Sequence, residues 1–308
     1  MLQPSFLPVS SVVRPSVGAI RALFWGQIAP PAPDEHRRVY RRERQEAESV
    51  YRETRIPHLR ASLWVSVPDK ADSLAEAASS VEAADPDRGN TAAGLASGPT
   101  VAAAAAPSLI VPDGCMDLIF IDSQILIAGA DSTARMFHGS AAPTVGLRFD
   151  SGVLAQLLTT SAGELADRVT PLDAVIGGRH SEVRAVGEGG AASVTGAARV
   201  LLDMAGGLTG RAMLDPRPMA LARALDVRSN SPAQTVTEAA AEFAYSPRQL
   251  RRLSAEWFGY GPKHLAKILR WQAARDLIDA GRSRTAAAAE VGYADAAHLR
   301  RDERSLIG

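Results

Sequence analysis

Cysteine is almost missing from this chain: among 308 residues there is one, Cys115. A single thiol closes no internal disulfide and cannot supply a multi-cysteine zinc site. A reducing, cytoplasmic setting is therefore expected. Lysine is nearly as scarce, present at positions 70, 263 and 267 only. No stretch approaches the ~20 uninterrupted apolar residues of a membrane span. Pro4, Pro8 and Pro15 break the N-terminus, so neither a signal peptide nor membrane association is expected. The six histidines (36, 58, 138, 180, 264 and 298) form no i,i+3 or i,i+4 pair and no HExxH, so no metal site is expected. No GxSxG is present to anchor a hydrolase. The GEGG at 187–190 lacks the Lys-Ser/Thr of a phosphate loop. No catalytic residue and no cofactor is assigned.

What is present suits a folded chain. Apolar residues are 46% and charged residues 22%, and the length allows two domains. The net charge of zero hides an asymmetry. Residues 215–308 carry fifteen Lys/Arg against eleven Asp/Glu, and nine basic residues face three acidic ones between Arg248 and Arg284. Local charge of that kind bears on partners where whole-chain charge does not.

Composition divides the chain. Residues 1–49 read as a polar or disordered extension: Pro- and Ser-rich at first, then DEHRRVYRRERQEAES, polar all round. Residues 60–67 read as a strand with Leu63, Val65 and Val67 alternating. Residues 69–107 are low-complexity Ala, Ser, Gly, Pro and Asp, too poor in large apolar residues to hold a core, and read as an inserted linker. Strands follow at 116–121, 124–129 and 143–149. From Asp150 the period turns helical: Val153, Leu154, Leu157 and Leu158 share a face, and Ser161 with Glu164 forms a capping box. A loop is expected at 187–196 and a helix at 197–204. The fold class is α+β: a β-rich N-terminal domain with flanking helices (50–214), then an all-α domain (215–308).

That second part is punctuated as helices throughout. A helix runs through Met219 to Val227. Thr235 caps the next, with Val236, Ala239, Ala240 and Phe243 on one face. Ser246-Pro247 caps and starts a third, which ends at Gly259. On it Leu250, Leu253, Ser254 and Trp257 face inward, while Arg248, Arg251 and Arg252 face outward near its leading end. A short helix, a tight turn and an arginine-led helix make a helix-turn-helix, whose leading end enters the major groove to read guanine edges. Gln249 lies on the same leading turn. Gly261-Pro262 opens a long fourth helix reaching Ala280, with a basic stripe of Lys263, Lys267 and Arg270. Two shorter helices follow, about 285–290 and 294–306, hinged at Gly292-Tyr293, and Arg300, Arg301 and Arg304 mark the last of them. A linker of about nineteen residues separates the motifs by ~28 Å. One turn of DNA is about 34 Å, so successive major grooves are within reach.

The segments SPRQLRR, FGYGPKHLAKILRWQAA and AAAAEVGYADAAHLRR resemble the DNA-binding domain of the AraC/XylS transcriptional regulators over residues 235–308. The resemblance implies two helix-turn-helix motifs joined by a long helix. It places the base-facing positions on Arg248, Arg251 and Arg252 in the first motif, and on Ala296, Ala297, Arg300 and Arg301 in the second. IPHLRASLWVS, VPDGCMDLIF and the segment 146–175 are similar to a small N-terminal domain on one branch of these regulators. The implied partners are double-stranded DNA, RNA polymerase, a small-molecule effector at the N-terminal domain and a second copy in a homodimer. Two positions depart from the family's habit: Ser254 and Glu303 stand where bulky apolar residues are usual. A carboxylate on the buried face of the last helix would cost several kcal/mol unless it reached solvent (roughly 2–7 for an unpaired polar group). Ala296 and Ala297 offer only a thymine methyl contact, so the first motif is expected to carry the sharper reading.

Other residues admit blander readings. His264 and His298 either touch phosphate or pack on a helix surface. Trp64 reads as core. Cys115, between a Pro-Asp-Gly turn and an apolar strand, reads as a buried inert thiol. An alternative makes it the reactive group of a thiol-based enzyme or sensor fused to a DNA-binding domain.

Overall fold

The computed structural model describes residues 50–67, 107–121, 124–138, 144–176, 194–229 and 232–308. The 1–49 extension and residues 69–106 of the expected insertion lie outside the described residues, as does most of the expected 187–196 loop.

Strands β1 (Val50–Ile56), β2 (Ala61–Val67), β4 (Met116–Ile121), β5 (Gln124–Ala128), β7 (Thr144–Phe149) and β8 (Val169–Pro171) form one antiparallel sheet in the order β1-β2-β7-β4-β5-β8. Strands β3 (Pro107–Ile110) and β6 (Arg135–His138) pair as a separate ribbon. The expected strands are present. β1, β3, β6 and β8 were not expected: β1 is heavily charged, the other three are short, and β3, β6 and β8 take their places only by pairing with partners distant in sequence.

The alternation read into β2 needs correcting. Leu63 and Val65 are half-buried, whereas Trp64 is 1% exposed and Ser66 2%. The cause is a sheet covered on both faces. One face feeds the main core through Leu118, Phe120, Ile127, Leu147 and Phe149; the other holds Trp64, Ile119, Ile121, Leu126 and Ala128. A strand buried on both sides loses its polar alternation. Trp64 stands opposite Gly146 on β7, and a Cβ at Gly146 would lie 2.3 Å from the indole ring. Only a glycine leaves that ring its place.

Ten α-helices are described. They are α1 (Leu154–Leu157), α2 (Ala162–Leu165), α3 (Leu172–Ile176), α4 (Val194–Thr209), α5 (Pro216–Leu225), α6 (Val236–Glu242), α7 (Pro247–Phe258), α8 (Pro262–Asp279), α9 (Arg284–Glu290) and α10 (Ala296–Ile307). The expected capping box at Ser161 and Glu164 is formed. Residues 194–196, expected in a loop, are instead the first turn of α4, which runs on to Thr209. α5 stops at Leu225, two residues short of the expected end, where the Asp226 amide donates back to the Arg223 carbonyl.

One hydrophobic core runs from Leu59 to Ile307, so the sheet and the C-terminal helices share an interior. The seam is specific. The Gly259 turn seats on Ala130, Ala162 and Ala166, each about 3.2 Å from where a Cβ would stand. Ala134 N–H donates to the Leu306 carbonyl at 2.6 Å. Gln272 Nε2 donates to the Pro112 carbonyl, and Gly114 lies against Leu265 and Leu269.

A candidate DNA-binding surface

Two helix-turn-helix units repeat one local design. In the first, Thr235 caps α6 with a reciprocal bond to Glu238, and Ser246 caps α7 with a reciprocal bond to Gln249. In the second, Ser283 caps α9 and Asp295 caps α10. The turns match: Tyr245 N–H donates to the Ala240 carbonyl at 2.9 Å, and Tyr293 N–H to that of Ala288 at 2.8 Å. Both turns need a left-handed residue. The second uses Gly292 at φ 81°; the first uses Ala244 at φ 54°, which a side chain tolerates poorly. Ala239 and Ala287, both fully buried, let each helix pair close up.

The first recognition helix is α7. Leu250, Ser254 and Phe258 face inward and are buried; Leu253 and Trp257 are half-buried. Ser254 Oγ donates to the Tyr260 carbonyl at 2.8 Å, so the hydroxyl found in place of an apolar residue ties the helix to the turn that follows it. Arg248, Gln249, Arg251 and Arg252 are exposed on the other face. Gln249 spends its carbonyl on the cap, accepting from Ser246 N–H at 3.0 Å. Arg252 pairs with Glu256 one turn on at 2.7 Å, both well exposed. Such a surface pair is worth roughly 0–1 kcal/mol and yields readily to a phosphate or a base.

The linker helix α8 does not present its cations uniformly. Lys263 is exposed. Lys267 Nζ donates to Ser305 Oγ at 3.1 Å. Arg270 donates to Asp302 at 3.2 Å and lies 4.4 Å above the Tyr293 ring. The expected stripe of three phosphate contacts is thus one outward lysine and two side chains that grip α10. The reason is the turn of α8 against α10, which spacing along α8 cannot reveal. His264 points the other way. Its Nε2 donates to the Ser132 carbonyl at 2.8 Å, and its ring meets Tyr260 edge-on at 5.0 Å. Burial lowers its pKa, which keeps it neutral.

On α10, Ala297, Arg300, Arg301 and Arg304 are exposed, and Ala296 and His298 are half-buried. The His298 ring packs edge-on against Tyr293 at 5.0 Å. Glu303 does not stand alone on the inner face. Arg284 of α9 meets it with two parallel hydrogen bonds, 2.7 and 3.1 Å. A fork-to-fork pair of this kind is charge-assisted and fixes geometry. The penalty expected for a lone carboxylate is therefore met by a partner. Arg284, Asp302 and Ser305 escaped the sequence reading, because residues 19 to 38 positions apart with opposite character leave no short-range period.

Among the described residues, the outward cations Arg248, Arg251, Lys263, Arg300, Arg301 and Arg304 enter no salt bridge. They are free to meet phosphate or a base edge. Cys115, by contrast, is 3.9 Å from Ser151 Oγ. Burial, seconded by the charge of Asp113, holds its thiol pKa well above the usual value. That environment opposes thiolate chemistry.

Residues 239–308 match the family described as a helix-turn-helix domain. No curated protein matches the chain. Two solved structures resemble it: ToxT from Vibrio cholerae, at 10% identity over 65% of this chain and 84% of that one, with a TM-score of 0.34; and an apo ToxT variant from the same species, at 12% identity over the same shares, with a TM-score of 0.33.

Proposed function

We propose that the chain is a sequence-specific DNA-binding transcriptional regulator of the AraC type, a reading supported by the match of residues 239–308 to the helix-turn-helix domain family. The observation that carries this reading is the pair of capped recognition helices, α7 and α10, with Arg248, Arg251, Arg300 and Arg301 outward and joined by a helix of 18 residues. At 1.5 Å per residue that helix is ~27 Å long, which suits successive major grooves on one face of DNA. Arg251 and Arg300 supply bidentate guanine contacts; Lys263 and Arg304 supply phosphate contacts that position the protein.

The remaining parts of the proposal concern regulation. The N-terminal part (50–214) senses a small-molecule effector and transmits it through the seam to α8, and the DNA-binding part is 215–308. Homodimerisation and contact with RNA polymerase complete a regulator working in the cytoplasm. Among the described residues no helix is long and apolar enough to cross a membrane. The thiol-based alternative is disfavoured by the raised pKa of the half-buried Cys115 thiol.

Binding-site selection with the full chain tests the proposal. A selected site should contain guanine-rich positions about ten base pairs apart, and affinity should fall steeply with salt. If roughly six phosphates are neutralised, the log–log slope lies near −5. A flat salt response refutes nucleic-acid binding.

A further inference from the structure

One short stretch of the N-terminal half touches both helix-turn-helix units. Residues 129–134 join β5 to β6, and three of them meet the DNA-binding half in turn. Ala130 lies under the Gly259 turn that ends α7: a Cβ at Gly259 would stand 3.2 Å from it. The Ser132 carbonyl accepts from His264 Nε2, on the first turn of α8, at 2.8 Å. The Ala134 N–H donates to the carbonyl of Leu306, in the last turn of α10, at 2.6 Å. Asp131, between them, pairs with Arg135 of β6 at 2.6 Å. Five consecutive residues thus contact the end of the first recognition helix, the start of the linker helix and the end of the second recognition helix.

The stretch is itself held from behind by the turn after α2. Gly129 N–H donates to the Arg168 carbonyl at 2.9 Å, and Asp167 N–H to that of Ala130 at 3.1 Å. A Cβ on Gly129 would fall 1.8 Å from the Leu165 carbonyl oxygen, so only glycine lets the two backbones meet. The Asp167 carboxylate accepts from Ser132 N–H at 2.7 Å and from Ser132 Oγ at 2.8 Å. α2 in turn bears on the recognition helix: a Cβ on Gly163 would stand 3.2 Å from the Ala255 carbonyl of α7. The two reading units need such a support. α7, α9 and α10 each pack on α8, so α8 carries the relation between the units. Long helices curve, and a helix of 18 residues by itself leaves the angle between its two ends loosely set.

We propose that residues 130–134 are a brace that fixes the two recognition helices relative to each other, and so sets the spacing between the two halves of the DNA site. Asp167 and His264 are its positioning residues, and neither reads a base. The inference rests on the regulator reading and adds to it a determinant of specificity that lies off the DNA. One base pair added or removed between the halves turns one against the other by about 34° and shifts it by ~3.4 Å. A braced pair of helices cannot follow that change; an unbraced pair follows it by bending α8.

The test uses the full chain and its selected DNA site, with one base pair inserted or deleted between the halves. The parent should lose at least tenfold in affinity for either altered site. Asp167→Gly with His264→Ala frees both Ser132 and α8, and glycine suits the φ of 58° at position 167. The double variant should lose less than threefold on the altered sites and keep the parent's base preference in each half. Asp167→Asn keeps a side-chain oxygen for Ser132 and tolerates a left-handed backbone, so it should retain the parent's spacing penalty. His264→Ala alone, scored the same way, covers the case in which the double variant folds poorly. The brace is overturned if the parent tolerates altered spacing, if the variants keep the full penalty, or if base preference changes with them. A second measurement needs no DNA. Spin labels on Arg251→Cys and Arg300→Cys, in a Cys115→Ser chain, should give one narrow distance, and a broadened distribution once Asp167→Gly and His264→Ala are added. Equal widths overturn the brace even where DNA binds. Failure to select any DNA sinks the regulator reading instead, and the label distances then still decide whether the brace exists.

Discussion

Arg284→Ala isolates the question of how the second recognition helix is held. Glu303 has 16% of its side chain exposed and Arg284 35%, and two hydrogen bonds join them. Removing one member of a fully buried pair costs ~3–5 kcal/mol, because a charge is left stranded; breaking a fully exposed pair costs ~0–1 kcal/mol. The partial burial here puts Arg284→Ala between them, at about 1–3 kcal/mol. Replacing both partners with apolar residues of similar volume, Arg284→Met with Glu303→Leu, removes the stranded charge and should return stability to within about 1 kcal/mol of the parent. Urea unfolding of the three proteins reads both numbers. Binding-site selection reads the consequence: Arg284→Ala should blur the half of the site read by α10 and leave the α7 half sharp. The reasoning fails if Arg284→Ala costs under about 0.5 kcal/mol, if the double variant is less stable than the single one, or if both halves of the site blur together.

Three further outcomes are expected. Arg251→Ala should relax base preference at one position, at about 1–3 kcal/mol of discrimination, whereas Lys263→Ala should weaken all sites equally and lower the salt slope by roughly one; a change of base preference with Lys263→Ala refutes the assignment. Ala244→Gly should stabilise the protein by about 1 kcal/mol, since its φ of 54° favours glycine; a loss of stability in urea unfolding contradicts that. Asp117 and Asp131 hold protons in the folded state up to about pH 7 but lose them near the ordinary carboxylate range when unfolded. Folding stability should therefore fall as pH rises from about 4 to 7 and level off above it. Asp117→Asn should reduce that fall, and an unchanged pH profile in the variant refutes the assignment.

Much of the C-terminal architecture was legible because it is written locally. Ser246-Pro247, Thr235, Gly259, Gly261-Pro262 and Gly292 act through hydrogen bonds and dihedrals within four residues of themselves, and each formed where the sequence placed it. The outward face of α7 followed from the 3.6-residue period, which is also local. What packing decided was anything that depends on how two elements turn toward each other. Lys263, Lys267 and Arg270 are equivalent by spacing, yet only Lys263 faces outward, because α10 lies across the other two. Glu303 looked unpaired until Arg284 was brought to it across 19 residues of chain. Arg148 on β7 meets Glu53 of β1, Asp117 of β4 and Asp113 of the loop before β4, and no window of sequence brings those strands together. Local chemistry fixes where helices begin and end; only the tertiary fold decides which charges meet, because a side chain's partner across a gap depends on the rotation and register of both elements.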